Sequence, residues 1–260
     1  MKISVCIKQV PDVSAPIHIK DGQVHQDADR LVLDAYSASA IEESLVITGN
    51  VGGEVDVVSV GPEKVKETIR KALAMGAGTA VHISTDEGVS FDSLSYAKIL
   101  AAFYKTSTFD VIAVGKQSQD TDAGLTGGML AELLGLPYAT NAVGLEADAD
   151  GKKVIVKRQG DSGQEMIELP IPCLVTCSND MNDPRIPSLK GIMSSKKKPV
   201  DTKTLEDLGL NAADLSASMM TEILSYESLT TREAGKKFEG DATDLVSTLM
   251  NALQNEAKVI

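Results

Sequence analysis

The segment that most constrains this chain is Phe109-Asp-Val-Ile-Ala-Val-Gly-Lys-Gln-Ser-Gln-Asp-Thr-Asp-Ala-Gly-Leu-Thr-Gly127, an apolar run that breaks into a glycine-rich polar loop. Val111 to Val114 read as a strand buried on both faces, the kind found in the centre of a parallel sheet. Gly115, Gly124, Gly127 and Gly128 let backbone approach a ligand closely. The helix predicted to follow offers free N–H groups and the positive end of its dipole, with Lys116, Thr121 and Thr126 as side-chain helpers. A nucleotide phosphate fits such a loop. An ordinary strand-to-helix turn has the same spacing, and glycine loops alone do not separate the two readings.

The first two-thirds of the sequence alternates strand and helix patterns, which predicts an α/β fold with a doubly wound, mainly parallel sheet. Strands are expected at Ile3 to Ile7, Glu54 to Val60, Ala80 to Ile83 and Asp110 to Val114. Helices are expected at Asp34 to Ile47, Glu63 to Met75 closed by Gly76, Phe91 to Tyr104 and Gly124 to Leu134. Ile17 to His25 reads as a hairpin turning at Asp21-Gly22. In such a sheet ligands sit at the strand C-termini, here Ile7-Lys-Gln, Val60-Gly-Pro, Ser84-Thr and Gly115-Lys-Gln. Cys6 and Val60 are then apolar neighbours for a base, and Lys8 and Lys116 neutralise charge. A solvated edge lysine is the alternative reading of Lys8.

Past Pro137 the pattern turns to alternating strands at Lys153 to Arg158 and Gln164 to Leu169, joined by a turn at Gln159 to Gly163, then Pro172 to Thr176, all expected to be antiparallel with one wet face. Two prolines and a glycine in Asn182 to Gly191 argue for irregular structure, with Leu189 an apolar residue on a polar loop, either tucked back or exposed. Lys196 to Lys198 follow. Leu245, Val246, Leu249, Met250 and Leu253 share one helical face near the C-terminus, which needs a surface to pack on, in this chain or in another. The chain divides on this reading into 1–200, the nucleotide-binding domain with its hairpins, and 201–260, a connector and C-terminal arm.

A net charge of −12 over 260 residues disfavours nucleic acid and anionic membranes as partners. Met1 leads straight into a strand pattern, and no apolar run reaches spanning length, so no membrane insertion and a cytoplasmic location are expected. Three cysteines read as small core thiols, and three scattered histidines make no metal set.

The chain resembles the β subunit of the electron transfer flavoproteins along almost its whole length, from Cys6-Ile-Lys-Gln-Val10 to the C-terminal helix. Val156-Lys-Arg158, Asp161, Gly163, Glu165, Ile167, Pro172 and Leu174-Val-Thr176 follow that family's signature in order. Ser162 stands where Gly or Asp is usual. Asn182, Pro184, Arg185, Leu189 and Lys196 to Lys198 follow, and Gly115 to Gly127, Val58 to Pro62 and Ala72 to Ala77 are similar to the family's nucleotide-loop segments.

The resemblance implies an adenine-nucleotide α-hydrolase-like sheet and a heterodimer with an α subunit that holds FAD. It further implies electron transfer from acyl-CoA or other flavin-dependent dehydrogenases to an acceptor oxidoreductase, with no catalytic residue in this chain. The nucleotide pocket maps to Cys6, Asp34, Ala35, Tyr36, Ser37, Val60, Gly115, Lys116, Gln117, Asp120, Thr121, Asp122, Ala123, Gly124, Leu125, Thr126 and Gly127. Val13, where some relatives carry an aromatic, and Tyr36 map near the partner's flavin. Leu189 maps to the anchor of a recognition loop docking on the dehydrogenase. AMP is the expected ligand of this subunit. The alternative is a second FAD in an electron-bifurcating, NADH-oxidising member, although the Asp-Gly-Asp-Thr and Asn-Pro runs typical of those relatives are here Asp120-Thr-Asp-Ala123 and Asp34-Ala35. A stand-alone ATP-binding stress-type regulator with the same sheet is the alternative from another class.

Overall fold

A computed structural model describes residues 1–26, 30–148, 150–228 and 234–260. Contacts group residues Met1–Ser225 into one compact unit and Tyr226–Ile260 into another. The first unit holds thirteen strands among its described residues: β1 (Lys2–Cys6), β2 (Gln9–Pro11), β3 (Ile17–Lys20), β4 (Gln23–Gln26), β5 (Leu31–Leu33), β6 (Glu54–Gly61), β7 (Thr79–Ser84), β8 (Val111–Gly115), β9 (Tyr138–Ala147), β10 (Lys153–Gly160), β11 (Gly163–Pro170), β12 (Cys173–Cys177) and β13 (Val200–Lys203). Its helices are α1 (Ala35–Val51), α2 (Val65–Met75), α3 (Ser93–Tyr104), α4 (Thr126–Leu134), α5 (Leu189–Ser195) and α6 (Ala212–Ala217).

Nine strands form one sheet in the order β11-β10-β9-β12-β8-β1-β6-β7-β13, with the glycine-loop strand β8 at its centre. Every pairing from β9 through β13 across the sheet is parallel, and only β9-β10-β11 is antiparallel. Strand β1 shows why apolar and polar residues alternate in a buried strand. Ile3, Val5 and Ile7 join the core with Ile41 of α1 and Ile69 and Leu73 of α2, while Cys6 joins the opposite core with Ile99 and Phe103 of α3 and Leu130 of α4. Ser4 points the same way as Cys6, and the Tyr104 hydroxyl satisfies both, at 2.8 Å from Ser4 Oγ and 3.3 Å from Cys6 Sγ. Burial of each large aliphatic side chain in these two layers contributes ~1.5–3 kcal/mol.

Helix α1 carries small and hydroxylated residues on its buried face because it lies close against the sheet. Ser44 Oγ donates to the Ala40 carbonyl at 2.6 Å and Thr48 Oγ1 to the Ser44 carbonyl at 2.8 Å, so the buried hydroxyls are paired within the helix. The expected hairpin is present as β3-β4, with Asp21 at φ 51° and Gly22 at φ 73°, the two positive values that a two-residue turn of this twist requires.

The structure corrects three sequence expectations. Residues 173–177 pair in parallel with both β8 and β9 and are all buried, so β12 is a central strand rather than part of an antiparallel hairpin. Its run Cys-Leu-Val-Thr-Cys lacks a wet face, which is the pattern of a strand covered on both sides. Residues 138–147 form the ten-residue strand β9, for which the sequence reading named no element. The stretch expected to be irregular to Gly191 enters helix α5 at Leu189, where Ser188 caps the helix start. Helix starts lie one to two residues later than expected, with Asp34 and Asp92 outside the helices as N-caps.

Residues 201–225, read from sequence as part of the connector, complete β13 at the sheet edge and place Leu205 and Leu215 in the core beside α3. Residues 229–233 of that connector lie outside the described residues. In the second unit, α7 (Ala242–Asn251) carries the apolar face read from sequence, and none of its residues is buried.

Candidate functional site

The segments that follow β1 and β8 meet the start of α1, and Asp34 ties them together. Its side chain is 1% exposed. Oδ2 accepts from Ser37 N at 2.8 Å and Ser37 Oγ at 2.9 Å, and Oδ1 accepts from Gln119 N at 3.0 Å. Gln119 answers by accepting from Ala35 N through Oε1 at 2.7 Å. Asp34 N donates to the Lys8 carbonyl at 3.1 Å, and Lys8 N to Ser37 Oγ at 3.2 Å. The start of α1 is thus capped by a residue of its own and by one from the glycine loop, 85 positions away.

The loop after β8 is internally braced. Lys116 N donates to the Cys177 carbonyl at 2.8 Å, Gln117 Nε2 to Asp122 Oδ1 at 2.8 Å, Asp122 N to the Ser118 carbonyl at 2.8 Å, and Ser118 N to the Ala123 carbonyl at 3.1 Å. Ser118 and Thr121 share a hydroxyl hydrogen bond of 2.9 Å. Asp122 adopts φ 53°, which closes the turn. Lys8 Nζ reaches Asp120 at 2.8 and 2.9 Å, so this lysine is a bridge between the β1 and β8 loops rather than a free edge charge. Burial works against ionisation of Asp120, but the Lys8 ammonium and the Ser118 hydroxyl hold its carboxyl below the usual range.

Helix α4 differs from α1 in having no side-chain cap: Leu125 precedes it and supplies no acceptor. The N–H groups of Thr126, Gly127 and Gly128 therefore open the helix without a side-chain partner among the described residues. Gly127 is needed there because a Cβ would stand 2.6 Å from Thr176 Cγ2, and Gly115 because a Cβ would stand 2.8 Å from Tyr36 Cβ. Tyr36, on the first turn of α1, has Lys116 Nζ 6.0 Å from its ring centroid. Burial, then the carboxylates of Asp122, Asp34 and Asp180, push its phenol up.

The structure brings Asp34, Ala35, Tyr36, Ser37 and residues 115–127 into one cluster. Cys6 lies beneath it, buried, with its thiol pushed up to about 12 by burial. Val60 is half-buried near the end of β6, and Val13 is 66% exposed in the turn after β2. Gln119 and Ser118, both central to the bracing, lie in the loop read from sequence but are not singled out there. Nothing local marks them, because their partners are distant in sequence or are set by the loop's own turn.

A second constellation surrounds Leu189. Arg185 donates through Nε to Glu42 Oε2 at 2.7 Å and through Nη2 to Glu42 Oε1 at 2.8 Å, while its backbone N adds 3.0 Å to Oε2. Asn182 Nδ2 donates to the Ser39 carbonyl at 3.2 Å and to Glu43 Oε2 at 2.8 Å. Gly191 lets α5 lie on α2, since a Cβ would stand 2.5 Å from the Ala74 carbonyl oxygen. Lys198 Nζ donates to the carbonyls of Leu73 at 2.8 Å and Ala77 at 2.5 Å, capping the C-terminal end of α2. Between these mounts Ile186 is 91% exposed and Leu189 76%, and Ile192 and Met193 continue the apolar surface. In the hairpin, Arg158 bonds the Thr140 carbonyl at 3.1 Å and Glu165 at 2.7 Å, which accounts physically for the Arg and Glu of that signature.

The family model described as electron transfer flavoprotein domain matches residues 21–208. The chain is 33% identical over 261 residues to electron transfer flavoprotein subunit beta of Bacillus subtilis, covering all of both proteins. It is 37% identical over 263 residues to the protein of the same name from Bradyrhizobium diazoefficiens, again over the full length of both. It is 34% identical over 265 residues to the Caffeyl-CoA reductase-Etf complex subunit CarD of Acetobacterium woodii, also end to end.

Proposed function

This chain belongs to the electron transfer flavoprotein family, as a β subunit of an electron carrier, and from that membership we propose that residues 115–127 hold the phosphate of an AMP with a structural role. The observation that carries the reading is the contrast between two helix starts at the same sheet edge. Helix α1 has its first N–H groups taken by Asp34 and Gln119, whereas α4 follows Gly124, begins without a side-chain cap and carries Gly127 and Gly128 in its first turn. The N–H groups of Thr126 and Gly127, with Lys116, Thr121 and Thr126, bind the phosphate. Val60, Cys6 and the Ala35 to Ser37 turn flank the nucleoside. Tyr36 and Val13 face the partner's flavin.

FAD in the α subunit supplies the redox chemistry, and this chain contributes binding, orientation and docking. The surface of Ile186, Leu189, Ile192 and Met193 receives a flavin-dependent dehydrogenase, and electrons then pass to an acceptor oxidoreductase in the cytoplasm. An exposed aliphatic anchor with a polar surround suits a partner that must leave after each transfer. Among the described residues no helix is long and apolar enough to cross a membrane. End-to-end similarity to β subunits leaves the stand-alone regulator without support.

The test is to co-express the chain with its α partner, denature the complex and quantify released nucleotides. One FAD and one AMP per heterodimer is the expected result. Two FAD and no AMP would overturn the structural-AMP reading in favour of the second-flavin, NADH-oxidising alternative.

A further inference from the structure

We infer that Glu42 is a positioning residue for the docking surface: through its paired hydrogen bonds to Arg185 it fixes where Ile186 and Leu189 stand. The inference rests on the docking reading above and adds the element that makes this surface work. Residues 183–188 contain Pro184 and Pro187, neither of which has an N–H to donate. Among the described residues, the one backbone hydrogen bond donated from 183–188 is that of Arg185 N to Glu42 Oε2. The same oxygen accepts from Arg185 Nε and its twin accepts from Nη2, so one carboxylate holds both the backbone and the side chain of a single residue. Beside it, Asn182 is fixed to Ser39 and Glu43 on the same helix.

The far side of the segment is mounted separately. Gly191 sits against the C-terminal end of α2, and Arg70 Nη1 donates to the carbonyls of Ser195 at 2.6 Å and Lys198 at 2.7 Å. Ile186 and Leu189 thus lie on a span held at two points, α1 and α2. Glu42 is nearly buried while the Arg185 side chain is about half exposed, so the carboxylate is the fixed member and the guanidinium the adjustable one. Loss of the α1 mount leaves the two apolar residues in place chemically but frees their position. That defect weakens association without altering the electron-transfer step.

The test uses the flavin-loaded heterodimer carrying E42Q, R185K or the pair E42Q/R185Q, with L189A as reference. Carrier concentration is varied against a flavin-dependent acyl-CoA dehydrogenase, and amide exchange is followed at residues 186–190. E42Q and R185K are expected to raise KM for the carrier roughly five- to tenfold with kcat unchanged, the double variant being no worse than E42Q, because all three remove one coupled interaction. Exchange at residues 186–190 rises in each, while FAD and AMP content stay at the parent level. Unchanged exchange and unchanged KM in E42Q, with KM raised in L189A, would overturn the inference and keep the docking reading. If L189A leaves KM unchanged, the docking reading fails and takes with it any role for Glu42 in association, even where exchange shows the segment freed.

Discussion

Single contacts decide much of the behaviour of the loop site. Gly127 stands where a methyl group would press on Thr176 Cγ2 at 2.6 Å, so Gly127→Ala should destabilise the fold by ~1–3 kcal/mol and lower nucleotide retention. Thr176→Ser removes that methyl and keeps the Oγ that accepts from Asn141 N at 3.0 Å. The double variant should therefore regain most of the lost melting temperature, and failure of the second change to help would show that the strain lies elsewhere. The cysteines make a simpler case. Burial pushes the thiols of Cys6, Cys173 and Cys177 each up to about 12, so almost no thiolate exists at pH 8. Native protein should stay unalkylated by iodoacetamide under conditions where unfolded protein takes up three equivalents; rapid native labelling would contradict the burial.

Helix α1 is the element on which most of the candidate chemistry converges, since one end caps against the glycine loop and its middle holds Asn182 and Arg185. At its start, Asp34→Asn keeps the size but replaces one accepting oxygen with an N–H donor. That donor must then face either Ser37 or Gln119, both of which also donate. The substitution should cost ~1–3 kcal/mol in thermal or denaturant unfolding, more than an ordinary exchange between two good N-caps. Along the same helix two neighbouring carboxylates titrate in opposite senses. Arg185 hydrogen bonds hold Glu42 below its ordinary 4.5, so its contribution is present above that value and is lost as pH falls below it. Burial raises Glu43 above 4.5 despite the bond from Asn182, so its ionised form costs stability at neutral pH and the cost fades as pH falls through the raised value. Glu43→Gln should accordingly raise the melting temperature at pH 7 and lose that advantage on acidification. An advantage that grows with acidification would reverse the assignment. The sequence made α1 legible as a helix and Asp34 as its edge, because capping and apolar spacing are local. It did not reveal Glu42 and Glu43 as anchors, because their partners lie about 140 residues away. For the same reason β12 was mistaken in direction: pairing order is a long-range property, and a five-residue apolar run fits either orientation.

For the molecule as a whole, the sheet and its two cores draw their buried residues, among the described residues, from positions up to Leu215. The α/β class and the central place of the glycine-loop strand were legible because continuous apolar runs alternating with helix patterns admit few other arrangements. The C-terminal unit was legible only as a helix in need of a surface, and α7 has no buried residue with which to identify that surface in this chain. Val246, Leu249 and Met250 remain exposed on one face, an apolar stripe that ordinarily faces a core. The proposal that an α subunit covers that face can be tested by removing it. A chain ending at Ser225 should therefore keep its helical and strand signature and melt as one cooperative unit, while its assembly with the α subunit weakens by at least tenfold, roughly the loss of one buried aliphatic residue at an interface. Circular dichroism with a titration of the two subunits measures both quantities. Unfolding of the truncated chain would mean that residues 226–260 belong to the core of the first unit, and undiminished assembly would mean that the α7 face serves some other surface.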